Sequence, residues 1–230
     1  MWILKNKEHI NINHSNLNVL YKKDKFFVMD NHLAAAWCWQ QIIDVNQKYN
    51  FFQIDRHYDL RNNLSERWIL LNRDKLMSSD VNDYLGVKIG KYPLVTHDNY
   101  LQIFLKLNPN LFDEFFFAAH DVEDYDKNIE SYKPKIWELQ NNLGYWINKN
   151  KNNQWVINLD LDFFFTEGKK GFFQFITDDY IIAVCNEIRD VYSRISIITI
   201  ALSPSFCGGL DPSLRVMRIF SDFFNLNFRI

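Results

Sequence analysis

Short apolar runs in this sequence repeatedly stop at an acid or a histidine. Phe26–Met29 runs into Asp30-Asn31-His32, and residues 51–54 run into Asp55-Arg56-His57-Tyr58-Asp59. Residues 115–119 end at His120-Asp121, and residues 155–157 lead to Asn158-Leu159-Asp160-Leu161-Asp162. A further run, 195–202, stops at Ser203 and is followed by Pro204-Ser205-Phe206-Cys207-Gly208-Gly209. Runs of this kind read as strands buried on both faces. Helical patterns separate them, over 33–45 and near 97–107, 132–147, 178–194 and 212–224. Strands alternating with helices predict an α/β chain in three layers, α/β/α, around a mainly parallel sheet. Shorter strand-like pieces, 2–4 and 19–21, open the chain. The length of 230 residues suits a single domain over 1–230. The Lys/Asn-rich stretch 148–153 reads as an exposed loop rather than a linker.

Ligands of parallel sheets bind beyond the carboxyl ends of the strands. The ionisable residues fall where the apolar runs stop, so several strands are expected to deliver acids and imidazoles to one edge. In Asp55-x-His57-x-Asp59 an extended backbone would turn all three side chains to one face. Asp160-x-Asp162 repeats the device, and His32 adds an imidazole from a third strand. Each pattern alone also occurs in solvated loops or helix caps. Their shared place at strand ends points to chemistry. Four carboxylates so gathered raise one another's pKa unless cations intervene. Two divalent ions match four aspartates in charge, and the mixed His/carboxylate set suits Mn²⁺, with Fe²⁺, Co²⁺ or Zn²⁺ as alternatives. A water shared by two such ions loses its proton near neutral pH, so the expected reaction class is hydrolysis.

Composition removes other classes. Hydrophobic residues make up 47% and aromatics 17%, with 20 Phe, which excludes a disordered chain. The net charge of −2 and the absence of a Lys/Arg cluster argue against nucleic acid or an anionic membrane as partner. Three cysteines, Cys38, Cys185 and Cys207, show no paired spacing and fit a reducing compartment. The N-terminal stretch breaks into charge too early for a signal peptide. No apolar run approaches the roughly 20 residues of a membrane span. A cytoplasmic location is expected.

These segments resemble the arginase/agmatinase/deacetylase fold family. The stretch 29–36, Met-Asp-Asn-His-Leu-Ala-Ala-Ala, is similar to that family's Gly-Gly-Asp-His segment opening a small-residue helix. Asp55-Arg-His-Tyr-Asp59 resembles its Asp-Ala-His-x-Asp motif, and 158–163 its Asp-x-Asp motif. Ser203-Pro-Ser-Phe-Cys-Gly208 is similar to a Ser-Pro-x-Phe-x-Gly segment of a short, divergent branch that includes peptide arginases. The resemblance implies two manganese ions, one on His32, Asp55, Asp59 and Asp160, the other on Asp55, His57, Asp160 and Asp162. It implies hydrolysis by a hydroxide bridging both metals, converting arginine side chains of a precursor peptide to ornithine and urea. Asp160 is then a bridging catalytic residue. His120 is a candidate proton shuttle, with a structural histidine as the alternative. Ser203, Asp121 and Glu123 are candidate substrate-binding residues, although a solvated acidic turn is the plainer reading of the last two. Asp30 is either a support for a ligand or a helix cap, and His9, His14 and His97 read as unremarkable. The loops that hold the end groups of free arginine have no counterpart here, and residues 203–209 contain no carboxylate. Other readings on the same fold are a deacetylase, a small-amine ureohydrolase or a non-catalytic peptide-binding module.

Overall fold

A computed structural model of the chain describes residues 1–6, 16–120 and 126–230. Strands β1 (Trp2–Lys5), β2 (Val19–Lys23) and β3 (Phe26–Met29) are followed by α1 (Ala35–Gln40) and β4 (Tyr49–Ile54). Short helices α2 (Glu66–Leu71), α3 (Arg73–Leu76) and α4 (Val81–Leu85) come next, then a small hairpin of β5 (Lys88–Ile89) and β6 (Tyr92–Pro93). Beyond it lie α5 (Tyr100–Leu107) and β7 (Phe112–Ala118). The second half carries α6 (Ile136–Lys149), β8 (Gln154–Asp160), a hairpin of β9 (Phe165–Gly168) and β10 (Gly171–Gln174), α7 (Asp178–Asp190), β11 (Ile195–Ala201) and α8 (Leu210–Phe223).

The central sheet has the order β1-β2-β3-β11-β8-β4-β7. The five strands from β3 to β7 are mutually parallel, and β1 and β2 add an antiparallel edge. Strand pleating sorts side chains to opposite faces. Phe51, Val156 and Ile197 pack with α1 and α5 on one side. Phe52, Ile157 and Ile198 pack with α6, α7 and α8 on the other. The result is the three-layer, mainly parallel α/β/α arrangement, and every residue of β4 is buried.

Register decides where the strands end. Met29 pairs with Ala201, Ala201 with Asp160, and Ile54 with both Leu159 and Ala118. The carboxyl ends of five strands therefore lie level. Among the described residues no helix is long and apolar enough to cross a membrane. The three cysteines are buried free thiols.

Three helices differ from the sequence pattern, the one expected over 178–194 ending at Asp190 before a separate 3-10 turn, Tyr192–Arg194. The helix expected over 33–45 splits into a 3-10 turn, His32–Ala34, and α1, which stops at Gln40. Beyond it Asp44 turns its carboxylate onto the Asn46 N–H, a local bond that competes with helix. The helix expected from 132 begins at Ile136. Pro134 disfavours helical backbone at the residue before it. Tyr132 instead bonds to the edge of β7, donating to Phe115 O and accepting from Phe117 N. The hairpins β5–β6 and β9–β10 and helices α2–α4 add to the pattern.

Candidate metal centre

Side chains from the ends of β3, β4, β8 and β11 meet at one point of the sheet edge. His32 stands in the 3-10 turn after β3, whose start is capped by Asn31 accepting from Leu33 N. Asp30 takes neither expected role. Its carboxylate accepts from the backbone of Asn18 and Val19 and from the Asn18 amide, tying β2 to β3.

Asp55, His57 and Asp59 converge by a turn, not by the extended backbone that the spacing suggests. β4 ends at Ile54. The Asp55 carboxylate accepts from His57 N at 2.8 Å, and Asp59 adopts a left-handed conformation, φ 53°. Asp160 is the last residue of β8 and caps the next 3-10 turn, accepting from Asp162 N at 2.9 Å. That turn reverses the chain so that Asp162 also faces the site.

Nδ1 of His32 lies 3.0 Å from Asp59, 3.4 Å from Asp160 and 3.6 Å from Asp55. Nδ1 of His57 lies 3.1 Å from Asp162 and 3.7 Å from Asp55. Two sets of ligand atoms are thus close enough to share an ion: His32, Asp55 and Asp160, and Asp55, His57 and Asp162. Asp55 belongs to both. The four aspartates are at most 6% exposed. The other ring nitrogen of His32, Nε2, is buried without a hydrogen-bond partner.

The electrostatics follow from this crowding. Burial pushes Asp55 well above the usual carboxylate range, reinforced by the charges of Asp59 and Asp162. Burial and the charge of Asp162 raise Asp160 to about 7. Burial opposes protonation of His32, yet Asp160, Asp59 and Asp55 lift it to about 10. His57 resists burial likewise through Asp162 and Asp55 and is pushed up to about 12. Asp162 moves the other way. Burial would raise it, but the His57 contact keeps it below the usual value.

A layer of buried polar residues supports the acids from beneath, and the sequence reading missed it. Gln53 donates to Asp55 at 3.2 Å and to the His57 carbonyl at 3.0 Å. Trp39 donates to Thr199, Thr199 to Asn158, and Asn158 to the Tyr100 hydroxyl. The Tyr100 ring lies 5.0 Å from that of His32. The available signal was the polar residues that interrupt these strands, Gln53 in β4, Asn158 in β8 and Thr199 in β11.

A cleft with about 20 Å³ of free space, room for an ion or a water, opens above the acids. Its walls include His32, Asp59, Asp160, Asp162, Ser203 and Phe206. Ser203 is left-handed, φ 41°, and its hydroxyl donates to Asp160. His97, unremarkable in the sequence, also lines the cleft. His120 does not. Its Nε2 lies 3.1 Å from the Phe163 carbonyl, and its ring packs on Phe163 and Phe175. Asp121, Glu123, His9 and His14 lie outside the described residues.

No protein-family model and no curated protein matches the chain. Among solved structures it is similar to an arginase of Entamoeba histolytica in complex with L-ornithine, at 15% identity and a TM-score of 0.49. The match covers 86% of this chain and 68% of that one. At this level the likeness assigns no role to any residue.

Proposed function

We propose that this chain is a metal-dependent hydrolase that converts arginine side chains within a peptide to ornithine, releasing urea. The observation that carries the reading is a charge imbalance. Four buried aspartates face two imidazoles, their ion-pair partners among the described residues. Fully ionised, the acids carry −4, and two protonated imidazoles offset half of it. Uncompensated buried charge of that size is untenable, so without ions Asp55 and Asp160 keep protons that cations would displace. Two divalent cations remove the deficit.

The residues fit such ions. Two ligand atoms each about 2.1 Å from an ion, at right angles to one another, stand about 3 Å apart. The separations of 3.0 to 3.6 Å around His32 Nδ1 are of that size. His32, Asp55, Asp59 and Asp160 would hold one ion, and Asp55, His57, Asp160 and Asp162 the other. The carboxylate majority favours Mn²⁺ over softer metals. Bound there, the pair would supply a hydroxide at neutral pH as the nucleophile for the guanidinium carbon.

The chain's own groups do the rest. Ser203 and Gln53 orient Asp160 and Asp55 through hydrogen bonds, which fixes the carboxylates before any ion arrives. The loop 203–206 walls the cleft and limits water. No lysine or arginine lines the cleft among the described residues. Among the described residues, the carboxylate of a free amino acid would meet acids, hydroxyls, imidazoles and the Asn31 amide, with no lysine or arginine to clamp it. An arginine held in a chain by two peptide bonds brings no such charge, which supports a peptide substrate.

Two ligand sets sharing Asp55 favour a two-ion ureohydrolase over a one-ion deacetylase. The test is to load the purified protein with Mn²⁺, count bound metal, and present arginine-containing peptides, including a precursor peptide encoded beside the gene. Urea and a peptide lighter by one carbodiimide unit per arginine are expected. Two bound ions with no urea and unchanged peptide mass would overturn the proposal.

A further inference from the structure

Among the described residues, the charge count that calls for two cations leaves the cleft with no acid to spare. Asp55, Asp59, Asp160 and Asp162 are consumed by the ions. Asp30 also lines the cleft but is committed to Asn18 and Val19. An aromatic ring is another kind of partner for a cationic side chain arriving from outside. Phe206 is the single Phe, Tyr or Trp lining the cleft among the described residues. Its ring lies 5.3 Å from that of His57 and 6.4 Å from that of His97, at the mouth. From behind it is backed edge-on by Phe172 of β10, at 6.1 Å. The same wall already carries a guanidinium: the Arg56 head lies 5.3 Å from the Phe172 ring centre.

Resting on the ureohydrolase reading above, we infer that Phe206 is the specificity-determining platform on which the substrate's planar cation lies at the mouth of the cleft. A guanidinium is flat, delocalised and weakly hydrated, so it gives up water to stack on an aromatic face. An ammonium is compact and strongly hydrated and gains less there. The platform therefore selects arginine over lysine without a carboxylate that would compete with the cations. Gly208 lets it form. A Cβ at that position would meet the Phe172 carbonyl oxygen at 2.7 Å, so the hairpin closes on the loop only over glycine.

The experiment measures binding, not turnover. Nα-acetyl-arginine amide and Nα-acetyl-lysine amide are passed over immobilised Mn²⁺-loaded protein by surface plasmon resonance. The native protein should prefer the arginine amide by about tenfold or more. Phe206→Leu should abolish that preference with two ions still bound, and Phe206→Tyr should keep it. Retained preference in Phe206→Leu, or no preference in the native protein, overturns the platform. Preference for arginine without urea release leaves the platform standing and overturns the ureohydrolase reading instead. Should Phe206→Leu fold poorly, Phe206→Met carries the same comparison.

Discussion

Nδ1 of His32 and a carboxylate oxygen of Asp59 lie 3.0 Å apart, although the two residues arrive on separate loops, after β3 and after β4. The contact exists because Asp59 takes a left-handed backbone, φ 53°, which aims its side chain back at the sheet edge. Aspartate and asparagine tolerate that conformation better than other residues with a Cβ.

Asp59→Asn separates backbone from charge. Asparagine keeps the shape and the tolerance for positive φ but supplies no anionic ligand. The variant should melt within a few degrees of the native metal-free protein. It should bind one Mn²⁺ tightly in place of two, counted by atomic emission after gel filtration. Two tightly held ions in the variant would remove Asp59 from the ligand set.

Acid and base should act on the metal-free protein in an unusual direction. Asp160 is raised in the folded state to about 7, and burial raises Asp55 as well. Both hold protons in the native state that the unfolded chain has already released, so stability falls as pH rises through that window. His32, raised to about 10, behaves alike: its contribution is whole below the unfolded value of 6.5 and disappears as pH climbs toward 10. Asp162 is lowered and acts only at more acidic pH. Chelated protein should therefore melt lower at about pH 8.5 than at about pH 5.5. Mn²⁺ competes with these protons, so its stabilising effect should grow over the same range. Calorimetry of chelated and loaded samples checks this, and a flat or rising melting temperature without metal would refute it.

The strand ends were legible because burial on both faces leaves an unbroken apolar run, so the first acid or imidazole after it marks the sheet edge. Asp55 and Asp160 are readable in this way from 51–54 and 155–157. The reach of Asp59 was not, since alternation assumes extended backbone and the chain turns there. Gln53, Asn158 and Thr199 interrupt apolar strands, and only the packing of Tyr100 and Trp39 shows what the last two satisfy. His97 has no acid at a telling spacing. It enters the cleft from the loop before α5, a tertiary placement that local pattern does not encode. The β9–β10 hairpin is signalled only by Gly168-Lys169-Lys170-Gly171, and its contact with the loop after β11, Phe172 against Phe206, is tertiary.

Ser203→Ala removes the hydroxyl that donates to Asp160 while keeping a Cβ at φ 41°. A hydrogen bond to a charged group is worth about 1.5–3 kcal/mol, and supports of this kind change metal affinity by about 10- to 100-fold. The variant should bind Mn²⁺ at least tenfold more weakly in titrations against a chelating dye. Ser203→Gly loses the same bond but relaxes the left-handed backbone. It should match Ser203→Ala in metal affinity and exceed it in thermal stability. Equal affinity of the alanine variant and the native protein would mean that the hydroxyl does not orient Asp160.

Two glycines test whether the hairpin is seated by close backbone contact. Gly171, φ 108°, sits in the β9–β10 hairpin with nothing within 4 Å of an added Cβ. Gly208, φ 79°, faces the Phe172 carbonyl oxygen at 2.7 Å from such a Cβ. Alanine at either position carries backbone strain of about 1–3 kcal/mol. At Gly208 it must also displace β10, because the obstructing atom belongs to the backbone. Gly208→Ala should thus lower the melting temperature more than Gly171→Ala. It should also weaken binding of a blocked arginine, through loss of the backing that Phe172 gives Phe206, while leaving two metal ions in place. If the two alanine variants lose equal stability and both bind as the native protein does, the hairpin is not held by that contact.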